Sequence, residues 1–191
     1  MVQGLFINVL MNKPKLIIRH DDFDFRMGTE KYIDIHEKFI EKGLIETAVI
    51  QLTQYGRVQD FERKKELIDY INSTPNWDIQ FHCWEHKPYL EMDPNEIIKE
   101  VAASLYFINK LFGKTPTVWY PPHNVASPRM EMIAKEFGLK VNTGHLGIEE
   151  FVKGGGKINE TIENIHFHGW ANHEMLFFDR MLDMILEYEN R

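Results

Sequence analysis

The chain has 191 residues, 43% of them hydrophobic and 27% charged, with a net charge of -7. That length and mix suit a single globular domain over 1–191 with a sizeable core, and the acidic balance without a basic stripe speaks against nucleic acid or an anionic membrane as partner. The single cysteine, Cys83, excludes an intramolecular disulfide framework and suits a reducing compartment.

No apolar run approaches the roughly 20 residues of a membrane span. Met1 to Met11 is weakly apolar, lacks a basic leading region and runs into Lys13-Pro14-Lys15, so no secretion signal is read and a cytoplasmic location is expected.

In chain order, Leu16 to Ile18 reads as a buried strand that discharges into Arg19-His20-Asp21-Asp22-Phe23-Asp24. Carboxylates crowded in this way repel one another unless a cation or a proton sits among them. Thr29 to Lys42 carries Tyr32, Ile35, Phe39 and Ile40 at helical spacing, with Thr29 as cap and Gly43 as stop. Thr47 to Leu52 reads as a second strand, Phe61 to Ile71 as a helix, and Trp77 to Phe81 as a third strand that stops at His82. Asp93-Pro94 opens a helix that ends at Gly113. Thr117 to Tyr120 is a fourth strand halted by Pro121-Pro122. Ser127-Pro128 starts a helix ending near Gly138, and Leu139 to Asn142 forms a fifth strand. Gly154-Gly155-Gly156 is a loop, Ile162 to His168 a further strand and Asn172 to Tyr188 a last helix.

Strands alternating with helices imply βαβ crossovers and a parallel sheet, so the class is α/β. About six strands are too few for the usual eight-fold barrel but enough for a smaller, distorted one. In either architecture, active sites gather at the carboxyl ends of strands. The polar residues stand there: His20-Asp21-Asp22, His82-Cys83-Trp84-Glu85-His86, Tyr120-Pro121-Pro122-His123 and His166-Phe167-His168. On a helical turn, His82 and His86 put both imidazoles on one face, as two ligands of one metal require. One carboxylate with two imidazoles makes an open site with room for an activated water.

Taken together, these segments resemble the polysaccharide deacetylase family, metal-dependent carbohydrate esterases with NodB homology. The family's Thr-Phe-Asp-Asp-Gly finds a counterpart in Arg19-His20-Asp21-Asp22-Phe23, and its His-Ser/Thr-x-x-His in His82-Cys83-Trp84-Glu85-His86. Its Arg-Pro-Pro-Tyr becomes Tyr120-Pro121-Pro122-His123, and the histidine ending a late apolar strand becomes His168 in Ile165-His166-Phe167-His168. These counterparts follow family order from Leu16 to Trp170. The resemblance implies a distorted (β/α) barrel of six or seven parallel strands. It also implies a divalent metal, zinc for choice, on Asp22, His82 and His86, with Asp21 as general base and His168 as general acid. Tyr120, Pro122, His123 and Trp170 would meet the substrate, a small molecule or oligosaccharide, and the backbone N–H of His123 would stabilise the oxyanion.

Three departures qualify that assignment. Phe23 replaces the glycine, and Asp24 offers a second registration with Asp22 as base and Asp24 as ligand. Tyr120 stands where the family has the arginine that pairs with the base, leaving Arg19 or Arg26 to substitute. No counterpart is found to the fourth motif, whose aspartate orients the acid histidine.

Other features have plainer readings. His123 and His145 are ordinary loop histidines or pocket residues, and Cys83 is a small buried residue in a Ser/Thr slot. The triple glycine lacks the Gly-Lys-Ser/Thr arrangement of a phosphate cradle. Trp84, Trp119, Trp170 and Tyr89 are core residues or sugar platforms. The expected function is hydrolytic removal of an acetyl group, N-linked by preference, from a carbohydrate. The alternatives are a non-catalytic sugar- or metal-binding member and a hydrolase of non-sugar C–N bonds. Oligomeric state is left open.

Overall fold

The structure is a computed structural model that describes residues 16–54, 57–58, 61, 63–158 and 164–190. Nine strands and seven helices lie among the described residues: β1 Ile17–Phe23, α1 Thr29–Glu41, β2 Glu46–Gln51, β3 Thr53–Gln54, β4 Arg57–Val58, α2 Lys65–Ser73, β5 Trp77–Cys83, α3 Pro94–Phe112, β6 Val118–Trp119, α4 Pro128–Glu136, β7 Lys140–Val141, β8 Leu146–Gly147, α5 Ile148–Lys153, β9 Asn164–Phe167, α6 Asn172–Met175 and α7 Phe178–Glu189.

Seven strands form one parallel sheet in the order β7-β6-β5-β2-β1-β9-β8, and β3 and β4 pair as a separate antiparallel hairpin. This is the distorted (β/α) barrel expected from the sequence, curled with helices outside. Helix contacts follow strand order, from α4 through α3 and α2 to α1, with α5 on α7. Lys38–Asp179 and Lys42–Asp183 ion pairs, at 2.6 and 2.7 Å, tie α1 to α7. β2 is buried along its whole length, as a central strand covered on both faces must be. The core holds Phe39, Phe81, Trp119, Phe151, Phe167 and Phe178, all under 2% exposed.

The caps read at Asp93, Ser127 and Gly113 are present, but Thr29 is the first residue of α1 and not its cap, which is Gly28 with no side-chain hydrogen bond. The Asp93 carboxylate accepts from the Asn95 N–H at 2.8 Å, Ser127 Oγ accepts from the Met130 N–H at 3.3 Å, and Gly113 closes α3 at φ 61. Several boundaries differ. β1 runs through Phe23, and β5 runs through His82 to Cys83, so Asp21, Asp22 and His82 lie inside the strands and not beyond them. α2 starts at Lys65 and not Phe61. The last helix is two, α6 and α7, broken at Leu176 and Phe177. The expected start of the last strand, at Ile162, lies outside the described residues. β8 and α5 were not anticipated, because a two-residue strand pairing only with β9 carries no periodicity of its own.

Two bulges lie among the candidate site residues. From His20 to Phe23, β1 takes one residue more than β2 takes from Ala48 to Ile50. From Phe81 to Cys83, β5 takes one more than β2 takes from Ile50 to Gln51. Such insertions bend a strand and re-aim its side chains. Asp21 and Asp22 sit at the first bulge and His82 at the second.

Candidate metal centre and active site

Asp22 is held in the left-handed region at φ 50, a conformation that Asp tolerates better than most residues. This turn brings its Oδ1 to 3.1 Å from His82 Nε2 and 3.6 Å from His86 Nε2. One ligand atom from each of Asp22, His82 and His86 lies within 4.8 Å of the others. The two imidazoles meet without a helical turn: His82 is in β5 and His86 in the bend after it, with ring centroids 5.3 Å apart.

His82 makes a second contact that decides its chemistry. Its Nδ1 is 2.5 Å from the carbonyl of Tyr120, which can only accept, so Nδ1 carries the hydrogen. That leaves Nε2 turned on the Asp22 carboxylate at 3.1 Å, donating to it when the ring is protonated and offering a lone pair when it is not. In the second case two acceptors face each other and a cation between them satisfies both, so this donor set fits a divalent ion.

Asp24, the alternative ligand, is fully buried and taken up by Arg26, whose backbone N–H and Nε donate at 3.1 and 2.5 Å. Asp21 accepts from Arg19 Nε at 2.7 Å and Nη2 at 2.5 Å, a bidentate pair. Alternation along β1 puts both side chains on one face. Arg19 Nη2 also donates to Asn124 Oδ1 at 2.7 Å, and its guanidinium lies 4.5 Å over the Tyr120 ring. The positive charge absent from position 120 is therefore delivered from β1, with Tyr120 as its floor.

His168, just past β9, accepts Glu174 as partner twice over. Its backbone N–H donates at 2.7 Å and its Nδ1 stands 3.0 Å from the carboxylate. Sequence reasoning missed Glu174: the residue comes from α6, and only the turn after β9 brings it back. Arg19 was one of two options, and Asn124 was missed.

These groups line a cavity of about 290 Å³ walled by Asp21, Asp22, His82, His86, His123, Asn124, His166, His168, Trp170 and Glu174. Of the residues expected to meet substrate, His123 and Trp170 stand in its wall, while Tyr120 and Pro122 are buried behind it. His123 and Asn124 are both left-handed, at φ 60 and 53. Arg26 lies 4.7 Å over the Trp170 ring. Cys83 is fully buried and burial pushes its thiol up, which leaves no reactive thiolate.

The field in the cavity sorts its titratable groups. Burial pushes Asp22 up, but the His82 hydrogen bond and the neighbouring imidazoles prevail and hold it below the usual carboxylate range. For Asp21 burial is likewise outweighed, here by the Arg19 guanidinium. Burial pulls His166 down to about 4. It also pulls on His168, yet the Glu174 carboxylate more than offsets it, and His168 ends above the ordinary imidazole value.

The polysaccharide deacetylase family profile matches residues 30–142, a stretch that contains His82 and His86. No curated protein sequence matches the chain. A family 4 carbohydrate esterase from Streptomyces lividans in complex with acetate superposes with a TM-score of 0.73 at 13% identity, over 93% of this chain and 90% of that one. A CE4 family pseudoenzyme from Bacillus anthracis gives 0.70 at 13%, over 93% of this chain and 62% of that one. A family 4 acetyl xylan esterase from Clostridium thermocellum in complex with a cobalt ion gives 0.65 at 19%, over 91% and 82%. At these identities the structural likeness is one of fold, and the family follows from the profile match: this chain belongs to the polysaccharide deacetylase family.

Proposed function

We propose that the protein is a metal-dependent carbohydrate deacetylase that removes an acetyl group, N-linked to an aminosugar, from a small soluble sugar or oligosaccharide. The observation that carries this reading is the His82 ring, fixed by the Tyr120 carbonyl with its other nitrogen turned on Asp22. Asp22, His82 and His86 would hold the ion, zinc in the first instance. Bound there, a divalent ion supplies Lewis acidity and lowers the pKa of water.

The chain's own groups do the rest. Asp21, clamped by Arg19, takes the proton from the attacking water. The N–H of His123 donates to the oxyanion that develops on the acetyl carbonyl. His168, whose Nδ1 is engaged by Glu174, hands a proton from Nε2 to the departing amine. His123 and Trp170 flank the sugar, while Tyr120 and Pro122 act from behind by supporting Arg19 and the loop. The expected cytoplasmic setting favours a soluble precursor as substrate; activity on a chitin-like polymer with none on short sugars would exclude that.

Replacement of the family arginine by Tyr120 favours a second reading, a binding protein without turnover. One experiment separates them: metal content after exhaustive dialysis, and acetate release, for wild type, His82→Ala and Asp21→Asn. The deacetylase reading expects the ion to be lost in His82→Ala, and Asp21→Asn to keep its ion while turnover falls about 10²–10⁴-fold. Metal without turnover on any acetylated sugar supports the binding protein, and no metal in wild type overturns the site.

A further inference from the structure

We propose that Asp21, His166 and His168 form a second, weaker site for a divalent cation, and that filling it shuts the enzyme off. One ligand atom from each of these residues lies within 4.8 Å of the others, a second set of one carboxylate and two imidazoles beside the first. That chemistry suits the same borderline cations. β9 and the residue just past it deliver both rings together, because residues two apart in extended chain share a face. Their centroids are 5.5 Å apart at 87°.

His166 supplies an independent sign. Its Nδ1 is buried and has no hydrogen-bond partner among the described residues. An unpartnered buried polar atom is costly and is kept where something else completes it. His168 is already prepared as a ligand. Its Nδ1 is held by a carboxylate 3.0 Å away, the outer-shell arrangement that orients a metal-binding imidazole. His166 also lines a second cavity of about 420 Å³, so this member of the trio borders two solvent spaces.

The order of filling follows from Arg19. Its guanidinium grips both oxygens of Asp21 and cancels much of the charge a cation would seek, whereas Asp22 has no such partner. The Asp22 set therefore fills first. Inhibition by the second ion rests on the reading of Asp21 as base and His168 as acid, since the ion takes a lone pair from each; its occupancy does not.

The test is equilibrium dialysis of the whole protein against rising zinc, with metal counted by emission spectrometry and acetate release followed in parallel. Wild type should take up about two ions at saturation and His166→Leu about one, at the first site. The zinc concentration that halves turnover should rise in His166→Leu by more than the about 10–100-fold that follows loss of an outer-shell partner. His166→Gln, which keeps polarity and approximate shape, carries the same expectation should the leucine variant fold poorly. His82→Ala should retain the weaker ion. Saturation of wild type at one ion, or two ions in both wild type and the His166 variants, overturns the proposal. Two ions falling to one supports the site even if no acetate is released, a result that counts against the deacetylase reading alone.

Discussion

Among the clusters of one carboxylate with two imidazoles, those on Glu46 and on Asp22 have opposite fates. In the first, Glu46 Oε1 is 2.6 Å from His20 Nδ1 and Oε2 is 2.9 Å from His36 Nδ1. His36 Nε2 reaches the Pro75 carbonyl at 2.9 Å, and His20 Nε2 accepts from the Gly169 N–H at 3.2 Å. Every ring nitrogen is used, all three side chains are at most 1% exposed, and His36 stacks on Trp77 at 3.6 Å. In the second, His86 Nε2 stands 3.6 Å from Asp22 Oδ1, beyond hydrogen-bond length, and the His86 side chain is 31% exposed. Residue types do not separate a closed cluster from an open one. Saturation does: a cluster whose lone pairs are all spent inside the protein has nothing left for a ligand.

The sharpest way to break this contrast is to remove the carboxylate of the closed cluster. Glu46→Ala leaves two buried imidazoles without their partner and should cost about 3–5 kcal/mol in urea unfolding. A loss below 1 kcal/mol would mean that the closed cluster is not structural. Acid should probe the same group. Burial raises Glu46, but the His20 and His36 hydrogen bonds outweigh it, so its folded pKa lies below the unfolded value of 4.5. The stability it contributes is present above pH 4.5 and is lost as pH falls through the lowered folded value. Glu46→Gln should therefore be less stable than wild type near neutrality, and the difference should shrink in acid.

Gly169 links the closed cluster to the cavity, since it follows His168 directly. A Cβ there would lie 2.5 Å from His20 Nε2 and 2.9 Å from Ile35 Cδ1, so Gly169→Ala should cost about 1–3 kcal/mol by overpacking. Thermal melts would show this, and turnover should fall along with it because the turn carries His168. Glu174→Gln spares the core and weakens only the hold on His168, for an expected loss of about 10–100-fold in kcat with the tightly bound ion retained. The smallest effect belongs to the open cluster. In protein stripped of metal, His86→Ala should change stability by no more than about 0.5 kcal/mol while abolishing tight zinc binding. A loss as large as that from Glu46→Ala would mean that the open cluster is structural as well.

Much of this was readable before any coordinates. The α/β alternation, the caps at Asp93, Ser127 and Gly113, and the gathering of Asp21, Asp22, His82, His86 and His168 at strand ends all follow from periodicity and local chemistry, which act over a few residues. His20 shows where that reach ends. It neighbours the Asp pair in sequence and was grouped with it, yet it belongs to the closed cluster, because alternation and the bulge after it send adjacent side chains to different surroundings. Asp24 was weighed as a ligand and is spent on Arg26.

What the sequence by itself determined is the inventory: parallel strands, the helices between them, and which carboxylates and imidazoles stand at the rim. Only the tertiary structure decided how those groups are spent. Arg19 went to Asp21 and Glu174 to His168, His20 and His36 closed on Glu46, and His82 was left with a nitrogen turned on Asp22. The physical reason is that a hydrogen bond satisfies a lone pair only at about 3 Å, and the partners are set there by strand register, bulges and a returning helix, none of which leaves a local mark in the chain.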